Sequence, residues 1–451
     1  MIGNRDESRP TAVRWRILGI LVAFSLCCYL LRMNISVAQQ IMVPELGLTD
    51  TQVGQVFGAF MVGYALFQVP AGVWGDRRGP RWVLTAAALG WGFMTCLTGL
   101  LPGILVRGTA AAFFSLLILR FMLGVGEAAM YPVSARVVAN WMPMREHAFS
   151  NALVIAGNTA GSALTPPLVA YLMQAFGWRF SFYVTGLLPF ALAALWWWQV
   201  RDHPEQHPAV NLKELALIGC DRPAESARGQ VPSWWSLWRN WNIAFLCMSY
   251  FLTSFVMFVF VFWLYKYFIE VRKFTLVGGG WALSLPFIVA TVALPSLGHV
   301  SDYLSARRGT LFGRRTVAMS CLVLCGALLL MGAEAFGPWS AVAAISLSVA
   351  CLFSTEGPYW STVIKLAGPH AGSCGGLMNM VGNLGGAVST AVIPFLVHLF
   401  GWFGALACTS LISIAGAACW LLIRSDHITP GEEPTGIEEG LGIRPKALHE
   451  S

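Results

Sequence analysis

The chain of 451 residues is 56% hydrophobic and only 11% charged, with a mean hydropathy of +0.64. A soluble domain carries about 25% charged residues, so this composition excludes an ordinary soluble protein and indicates an integral membrane protein. The net charge of +7 comes mainly from basic residues in the loops between the hydrophobic stretches. We therefore do not expect a nucleic-acid partner.

Hydrophobic stretches recur along the whole chain at about 20 residues each, the length that a membrane-spanning helix requires. They predict an all-α membrane protein with twelve transmembrane helices, embedded in a lipid bilayer. The predicted helices lie at about residues 15–39, 52–74, 82–101, 109–138, 146–172, 178–200, 241–269, 276–302, 315–336, 339–366, 370–400 and 402–424.

Basic residues are distributed unevenly among the predicted loops. If both termini lie inside, nearly all loop arginines and lysines fall on the cytoplasmic side, and the outer loops hold only Arg107, Arg179, Arg272 and Lys273. The positive-inside rule therefore predicts a multi-pass protein of the cell inner membrane with both termini in the cytoplasm.

Three short motifs recur in the second half of the chain at nearly one offset. The matches pair Gly72 and Asp76 with Gly298 and Asp302, Gly157, Asn158 and Gly161 with Gly382, Asn383 and Gly386, and Gly177 and Trp178 with Gly401 and Trp402. They indicate a duplicated six-helix unit. An even duplication gives parallel repeats, so we expect the substrate site at mid-membrane between the halves.

This duplication divides the chain into two pseudo-symmetric halves. We assign residues 1–200 to an N-terminal six-helix half and residues 241–425 to a C-terminal six-helix half. A polar, proline-containing stretch at 201–240 is predicted to be a cytoplasmic linker, and residues 426–451 a cytoplasmic tail.

The first predicted helix contains a charge, Arg32, in the sequence Tyr29-Leu30-Leu31-Arg32. A charged side chain at mid-bilayer costs about 2.5–3.5 kcal/mol, so such residues usually face a polar cavity. Arginine stays charged at working pH and offers a planar fork to a carboxylate. We predict that Arg32 binds a substrate carboxylate, with Tyr29 on the same helix face as a further donor. The alternative is a structural ion pair.

The second predicted helix ends in a motif that fits G-x3-D-R-x-G-x-R. Its glycines permit close helix approach, and Asp76 can accept from helix-end amides or pair with a basic residue across the halves. We interpret the motif and its counterpart in the second half as a cytoplasmic gate formed by Gly72, Asp76, Arg77, Gly79, Arg81 and Asp302. A positive-inside loop would explain only the arginines. With this motif the chain resembles the major facilitator superfamily over nearly its full length.

The fourth predicted helix contains Arg120 and Glu127. Seven residues place them on one helix face but roughly 10 Å apart along it, too far for direct contact. Burial penalises the charged form of a carboxylate, which suits a carrier that is neutral in one state and ionised in another. We predict Glu127 as the proton-coupling site, together with Arg120. The alternative is a permanent ion pair that fixes helix packing.

Further motifs narrow the resemblance within that superfamily. They are Tyr29-x-x-Arg32-x-Asn34, Gly124-Val125-Gly126-Glu127-Ala128, Asn140-Trp141-Met142-Pro143, Gly177-Trp178-Arg179 and Gly382-Asn383-x-Gly385-Gly386. The chain resembles the anion:cation symporter family, the sugar-acid and organic-anion permeases, which move carboxylates, commonly with protons. This resemblance places Tyr64 in the binding cavity. Bacterial sugar-acid permeases often have Asp where this chain has Leu31, so proton coupling depends more heavily on Glu127.

Three asparagines are candidate ligands for the hydroxyl groups of a sugar acid. Asn158 and Asn383 occupy equivalent positions in the two halves, and Asn379 lies one helical turn before Asn383. The alternative is that these amides join neighbouring helices that are lined by glycine.

The second half adds two unusual charges. Glu356 lies deep in the tenth predicted helix, beside Pro358, which kinks a helix. We include Glu356 in the predicted substrate site, where it could also act as a gate or second proton site, and expect Tyr359 or Trp360 to stack on the substrate. Lys266 is predicted either to snorkel to the headgroups or to attract an anion.

Together these features predict a secondary active transporter that imports a small organic anion, a sugar acid or related carboxylate, by proton symport with alternating access. We expect a monomer that uses no cofactor or metal. The alternative is a proton-coupled drug or metabolite exporter, whose G-x8-G-P-x3-G-P-x2-G-G pattern Gly157, Gly161 and Pro166-Pro167 do not match. An enzyme is not expected, because no zinc-type His/Glu helix, GxSxG motif or ATP-binding loop is evident.

Overall fold

The computed structural model of the chain describes residues 10–219, 240–367 and 371–424. Part of the predicted linker, residues 220–239, and the predicted tail at 426–451 lie outside the described residues. Within the described ranges, eleven helices are long and apolar enough to cross a membrane. The last of them turns at Gly401, where φ is 69°, and so supplies two passes. The predicted architecture of twelve transmembrane helices is confirmed.

The first half contains six membrane passes and a short helix that follows them. The helices are α1 (Val13–Leu46), α2 (Asp50–Arg78), α3 (Pro80–Leu100), α4 (Thr109–Glu127), α5 (Met130–Trp141), α6 (His147–Phe176), α7 (Trp178–Gln199) and α8 (Leu212–Gly219). Because α4 and α5 follow one another in one pass, this half crosses the membrane six times.

The second half repeats that arrangement. Its helices are α9 (Trp241–Phe262), α10 (Leu264–Glu270), α11 (Leu276–Arg308), α12 (Thr310–Glu334), α13 (Pro338–Phe353), α14 (Glu356–Ala367) and α15 (Ala371–Cys419). The helices α13 and α14 form one pass, as α4 and α5 do, and α15 contains the last two passes.

Each of the two interrupted passes has a glutamate beside its interruption. In the first half, α4 ends at Glu127 and α5 resumes at Met130. In the second half, α13 ends at Phe353 and α14 begins at Glu356. Glycine and proline around these points weaken helix continuity. A glutamate thus stands just before the interruption in the fourth pass and just after it in the tenth.

The halves contact each other mainly through two helix pairs, α2 with α15 and α6 with α11. Both contacts depend on glycine. A Cβ on Gly280 of α11 would lie 2.8 Å from the Pro166 carbonyl oxygen of α6, and one on Gly54 of α2 would collide with the carbonyl of Thr390 in α15. The absence of side chains therefore lets the backbones of the two halves approach closely.

The two ends of the bundle differ in charge. We call the end at which α1 begins the basic face, and the end at which α1 finishes at Leu46 the opposite face. The basic face carries Arg14, Arg16, Arg77, Arg78, Arg81, Arg145, Arg201, Arg307, Arg308, Arg314 and Arg315. The uneven charge of the loops, read from the sequence, thus corresponds to one face of the folded bundle.

The contacts between halves extend from the opposite face to mid-membrane. Gln39 donates to the Phe262 carbonyl at 3.0 Å, and the rings of Phe57 and Phe262 stack with centroids 4.6 Å apart. Further along α2 towards the basic face, Gln68 Oε1 accepts from the Asn379 amide of α15 at 3.0 Å. Beyond Gln68, at the basic face, the ion pair of Asp76 with Arg136 lies within the first half.

The described start of the predicted linker packs against the first half. Glu214 of α8 is fully buried and accepts the backbone N–H groups of Val13 and Arg14 at 3.3 and 3.2 Å. Its carboxylate also accepts from the Thr11 hydroxyl. A carboxylate at a helix N-terminus satisfies free amides and complements the helix dipole. The helix α8 thus caps α1 at the basic face.

Candidate functional site

The predicted anion ligand, Arg32, forms a buried ion pair. Its Nη2 lies 3.0 Å and its Nε 3.3 Å from Glu127 Oε2. Arg32 is 2% exposed and Glu127 is fully buried. A buried charge is tolerated when it is paired and hydrogen-bonded. The structure therefore joins the residue predicted to bind the anion to the residue predicted to carry the proton.

Only one oxygen of the Glu127 carboxylate is used in this pair. The thiol of Cys28, one turn before Arg32 in α1, donates to the same Oε2 at 3.1 Å. Among the described residues, Oε1 is buried without a hydrogen-bond donor. An unsatisfied buried acceptor is costly, and a proton or a ligand hydroxyl would satisfy it. The Glu127 carboxylate therefore has one oxygen, Oε1, left to accept a proton or a ligand hydroxyl.

Three aromatic rings surround the guanidinium of Arg32. Its central carbon lies 4.5 Å from the ring centroid of Tyr29, 4.7 Å from that of Tyr64 and 4.9 Å from that of Phe60. Cation–π contacts of this length stabilise a desolvated arginine without using its N–H donors. The guanidinium thus keeps donors for an anion, which agrees with the predicted position of Tyr64 in the site.

Arg120 is held by α1 rather than by Glu127. Its Nη1 donates to the Leu31 carbonyl and its Nη2 to Asn34 Oδ1, both at 3.1 Å. The Asn34 amide in turn donates to Thr185 at 3.3 Å. Arg120 is 1% exposed, and these bonds satisfy its two terminal nitrogens, while Nε has no partner among the described residues. Its role in proton coupling stays a prediction, and any such role would act through electrostatics.

Asn158 of α6 stands next to the Arg32 site. Its side chain lies beside the Tyr29 hydroxyl. The buried Asn158 Oδ1 accepts no hydrogen bond from a described residue. An amide with a free acceptor suits the hydroxyl of a ligand. The predicted contact of Asn158 with a sugar hydroxyl is compatible with this position.

In the second half, the half-buried Glu356 is held by neutral donors. The Tyr250 hydroxyl donates to Oε2 at 3.1 Å and lies 3.4 Å from Oε1. The indole of Trp360, one turn along α14, donates to Oε2 at 3.1 Å. Trp360 is 37% exposed. The second half thus presents a carboxylate and an accessible indole at the interruption of the tenth pass.

Tyr359 does not occupy the predicted position. It is fully buried, and its hydroxyl bonds to Ser249 at 2.6 Å and Thr253 at 2.8 Å inside the second half. Its ring contacts those of Tyr250 and Trp420. The expectation that Tyr359 stacks on a substrate is corrected by this burial, because successive residues of a helix point in different directions. Trp360 has the accessible ring.

The asparagines of α15 differ from each other. Asn379 bridges the halves through Gln68 of α2, so in this conformation it joins helices. Asn383 donates to the Asn379 carbonyl at 2.7 Å within its own helix. This bond uses Nδ2, and an amide oxygen such as Oδ1 can accept a separate hydrogen bond. A contact with substrate hydroxyls stays a prediction for both residues.

The predicted gate residues lie at the basic face, where Asp76 pairs with Arg136 of α5 at 3.2 Å. The expectation of a partner across the halves is therefore corrected for this structure, because both residues belong to the first half. Gly72 and Gly75 allow α5 to approach α2, since a Cβ on them would lie 3.4 Å from Pro132 and 2.8 Å from Val133. Arg77 and Asp302 are exposed.

The end of the gate motif is ordered by a residue outside it. Gly79 has a φ of 84°, and the Asp202 carboxylate lies where a Cβ would project. The same carboxylate accepts the Arg81 backbone N–H at 2.8 Å. The Arg81 guanidinium stacks on Trp197 at 4.1 Å and donates to its carbonyl. Gly79 is thus required for both its backbone conformation and its close approach to Asp202.

Lys266 does not snorkel to the headgroups but forms ion pairs. It is 8% exposed and pairs with Asp50 at the start of α2 and, at 3.5 Å, with Glu270 of its own helix. A lysine that snorkelled would reach the headgroups. Lys266 instead joins the two halves at the opposite face, where Asp50 of the first half was not recognised as a partner from sequence.

Several residues of the site were not identified from sequence. Cys28 could have been found, because it lies four residues before Arg32 and four-residue spacing puts side chains on one helix face. Tyr250 and Gln68 carry no signal beyond polarity inside hydrophobic helices. No three His, Cys, Asp or Glu side chains group as metal ligands within the described ranges.

Comparison with known proteins agrees with this architecture. Residues 21–390 match the family model described as Major Facilitator Superfamily. The crystal structure of a bacterial homolog to the human lysosomal transporter Spinster superposes with a TM-score of 0.74, covering 92% of this chain and 97% of that one. Its sequence identity is 15%, so this likeness concerns the fold alone.

Curated relatives are similar over most of their length. The Probable sulfoacetate transporter SauU of Cupriavidus necator is 33% identical over 393 residues, 86% of this chain and 88% of that protein. The Hexuronate transporter of Bacillus subtilis is 29% identical over 83% and 86% of the two chains. The D-galactonate transporter of Escherichia coli is 27% identical over 93% and 98%. The chain belongs to the Major Facilitator Superfamily, among its organic-anion transporters.

Proposed function

We propose that this protein imports a small organic anion, a sugar acid or related carboxylate, by symport with protons across the cell inner membrane. The observation that carries the proposal is the buried pair of Arg32 with Glu127. Similarity to relatives named as hexuronate and D-galactonate transporters supports the substrate class. The protein acts as a monomer, and its basic face lies in the cytoplasm.

Coupling follows from competition for one guanidinium. Ionised Glu127 occupies the Nε and Nη2 edge of Arg32. A proton on Glu127 removes its charge and releases that edge, which then offers two parallel donors to a substrate carboxylate. The site has the same net charge when it is empty and paired as when it holds one proton and one carboxylate. Neither state strands an uncompensated charge in the membrane.

This balance gives the transport cycle its stoichiometry. One proton accompanies each negative charge that binds Arg32, and transport through this site is electroneutral for a single carboxylate. The substrate also contacts Tyr29, Tyr64 and Asn158 from the first half and Trp360, Asn379 and Asn383 from the second. Rocking of the halves then exposes the site alternately to the two faces, as in other carriers built from repeats.

Uptake into proteoliposomes tests this function. Purified protein is assayed with radiolabelled D-galactonate and D-glucuronate at neutral pH inside and an acidic exterior, with and without a protonophore. We expect acid-driven accumulation that the protonophore abolishes. The absence of uptake and counterflow for both compounds would contradict a sugar-acid substrate. Uptake that is equal with and without the protonophore would contradict symport.

A matched pair of arginine variants separates anion binding from general damage. Arg32→Gln removes the proposed ligand. Arg179→Gln removes an arginine that pairs with Glu45 at the opposite face, 2.5 Å away and outside the site. Only Arg32→Gln should abolish uptake. Equal loss in both variants would remove support for the anchoring role.

Orientation is tested by the accessibility of single cysteines in intact cells. Arg107→Cys lies in a loop at the opposite face, and Arg308→Cys lies at the basic face. A membrane-impermeant maleimide should label Arg107→Cys in intact cells and Arg308→Cys only after permeabilisation. The reverse pattern would place the basic face outside.

A further inference from the structure

Three donor atoms converge on one oxygen of Glu127. Arg32 donates to Oε2 from Nη2 at 3.0 Å and from Nε at 3.3 Å, and the Cys28 thiol donates to it at 3.1 Å. Oε1 of the same carboxylate is buried without a donor among the described residues. The contacts are therefore one-sided, because Oε2 is held in place and Oε1 is left for a proton.

The Cys28 thiol favours the form of Glu127 that pairs with Arg32. Cys28 is fully buried, so its proton is directed to protein groups rather than to bulk water. A thiol is a weak donor, but hydrogen bonds to an ionised acceptor are stronger than those between neutral groups. A hydrogen bond that is donated to the charged form of an acid stabilises that form. The thiol thus stabilises ionised Glu127.

The contact lies entirely within the first half. Cys28 and Arg32 belong to α1, and Glu127 is the last residue of α4. When the halves of a carrier rock against each other largely as rigid units, contacts inside one half persist. Cys28 therefore acts on Glu127 whichever face the site opens to.

We propose that Cys28 is a positioning residue of the proposed symport, and that its thiol sets the pH at which Glu127 releases Arg32. The thiol holds Oε2 against the guanidinium, and the incoming proton binds Oε1. The neutral carboxyl group then competes weakly for Arg32, whose Nε and Nη2 become available to a substrate carboxylate. This inference rests on the proposed function and assigns a further residue to its proton-coupling site.

Other titratable groups also surround the carboxylate and its partner. They are Arg32, Cys27 and Tyr29 of α1, Tyr64 of α2, Arg120 of α4 and Tyr131 of α5. All of them are retained when Cys28 alone is replaced. A difference in titration between the wild type and a Cys28 variant therefore reports the thiol and not these neighbours.

Infrared spectroscopy of purified, full-length protein in lipid vesicles titrates Glu127 directly. The band of protonated carboxyl groups is followed against pH, and the part that disappears when Glu127→Gln is added belongs to Glu127. Cys28→Ala removes the donor and should raise the midpoint of this titration by about 0.5–1 pH unit, the size of one net hydrogen bond. Cys28→Ser keeps a donor and should leave the midpoint at or below that of the wild type.

Cys27→Ala is the matched control. Cys27 is the neighbouring buried thiol, 2% exposed, and within the described structure the thiol that donates to Glu127 is that of Cys28. Cys27→Ala should leave the midpoint unchanged. If Cys28→Ala does not fold, Cys28→Val fills the space without a donor and should show the same rise.

Two results would overturn the inference. One is an unchanged midpoint in the variant without a donor, and the other is an equal rise in Cys28→Ser, which would indicate damage to packing. The absence of a Glu127 band at every pH at which the protein stays folded would do so too, because Glu127 would then take no proton.

Uptake separates this inference from the proposed function. The pH of half-maximal D-galactonate uptake should move in the same direction as the infrared midpoint. A shifted midpoint in a protein that neither takes up nor exchanges D-galactonate or D-glucuronate would support the role of Cys28 and contradict the sugar-acid substrate. Proton-driven uptake with an unshifted midpoint would support the symport and contradict the role of Cys28.

Discussion

Glu127 of α4 lies against the edge of Arg32 that an anionic ligand would need, with Oε2 3.0 Å from Nη2 and 3.3 Å from Nε. The two residues are 95 positions apart in the chain. A carboxylate of the protein thus stands where a carboxylate of the substrate would bind. In the symport that we propose, proton coupling is an exchange of partners at one guanidinium.

Glu127→Gln should uncouple transport from the proton gradient. The amide cannot be ionised and competes weakly for Arg32, so substrate binds without first adding a proton. We expect counterflow exchange to persist and accumulation against a gradient to fall to background. The measurement is uptake with an acidic exterior compared with counterflow at equal pH. Glu146→Gln, at the basic face, is the control, and acid-driven accumulation by Glu127→Gln would refute the coupling role.

Arg32→Met should destabilise the protein as well as abolish binding. Removing one partner leaves the Glu127 charge buried without compensation, which costs about 3–5 kcal/mol. The double variant Arg32→Met/Glu127→Met should recover most of the lost melting temperature, because both charges are absent, but not transport. Thermal unfolding of the purified variants measures this. A double variant as unstable as Arg32→Met would argue against the pair as the cause.

Lys266→Ala should favour opening at the opposite face. Lys266 joins the halves there through Asp50, above the stacked rings of Phe57 and Phe262. Without this pair, Phe57→Cys should react several-fold faster with a hydrophilic maleimide added from that side. The exchanged pair Lys266→Asp/Asp50→Lys should slow the reaction again.

The control for this experiment is Arg179→Gln. Its ion pair with Glu45 lies at the same face but inside the first half, so it cannot hold the halves together. Equal acceleration in Arg179→Gln would indicate general loosening of that face rather than the loss of a contact between halves.

Asp76 and Arg136 should show a small coupling energy. Their ion pair is partly exposed, with side-chain exposures of 61% and 39%. Exposed pairs contribute about 0.2–1 kcal/mol in double-mutant cycles. Asp76→Asn, Arg136→Gln and the double variant should therefore have similar melting temperatures. If the pair belongs to the gate, the single variants should slow uptake, and the double variant should be no slower than either one.

Gly79→Ala should be among the more damaging single changes at the basic face. An alanine would have to adopt a φ of 84° and would place its Cβ 2.6 Å from Asp202 Oδ2. Strained backbone of this kind costs on the order of 1–3 kcal/mol. A lower melting temperature than that of Gly90→Ala, where a Cβ meets nothing within 4 Å, would support this reading. Equal melting temperatures would contradict it.

The sequence by itself determined the twelve hydrophobic passes, the duplication and the excess of basic residues at one face. These features depend on composition and short-range spacing. The bilayer core accepts only long apolar segments whose backbone groups are satisfied internally, so such segments can be recognised without knowing which helices pack together. Sequence spacing also showed that Arg120 and Glu127, two turns apart, could not touch, and the structure has them with different partners.

Only the tertiary structure decided which polar groups meet. Glu127 pairs with Arg32, Glu356 with Tyr250 and Lys266 with Asp50, each between helices that lie far apart in the chain. Helical periodicity places a side chain on a face but does not say which helix packs against that face. The burial of Tyr359 and the exposure of Trp360 were settled in the same way, because a rotation of α14 by one residue exchanges their surroundings.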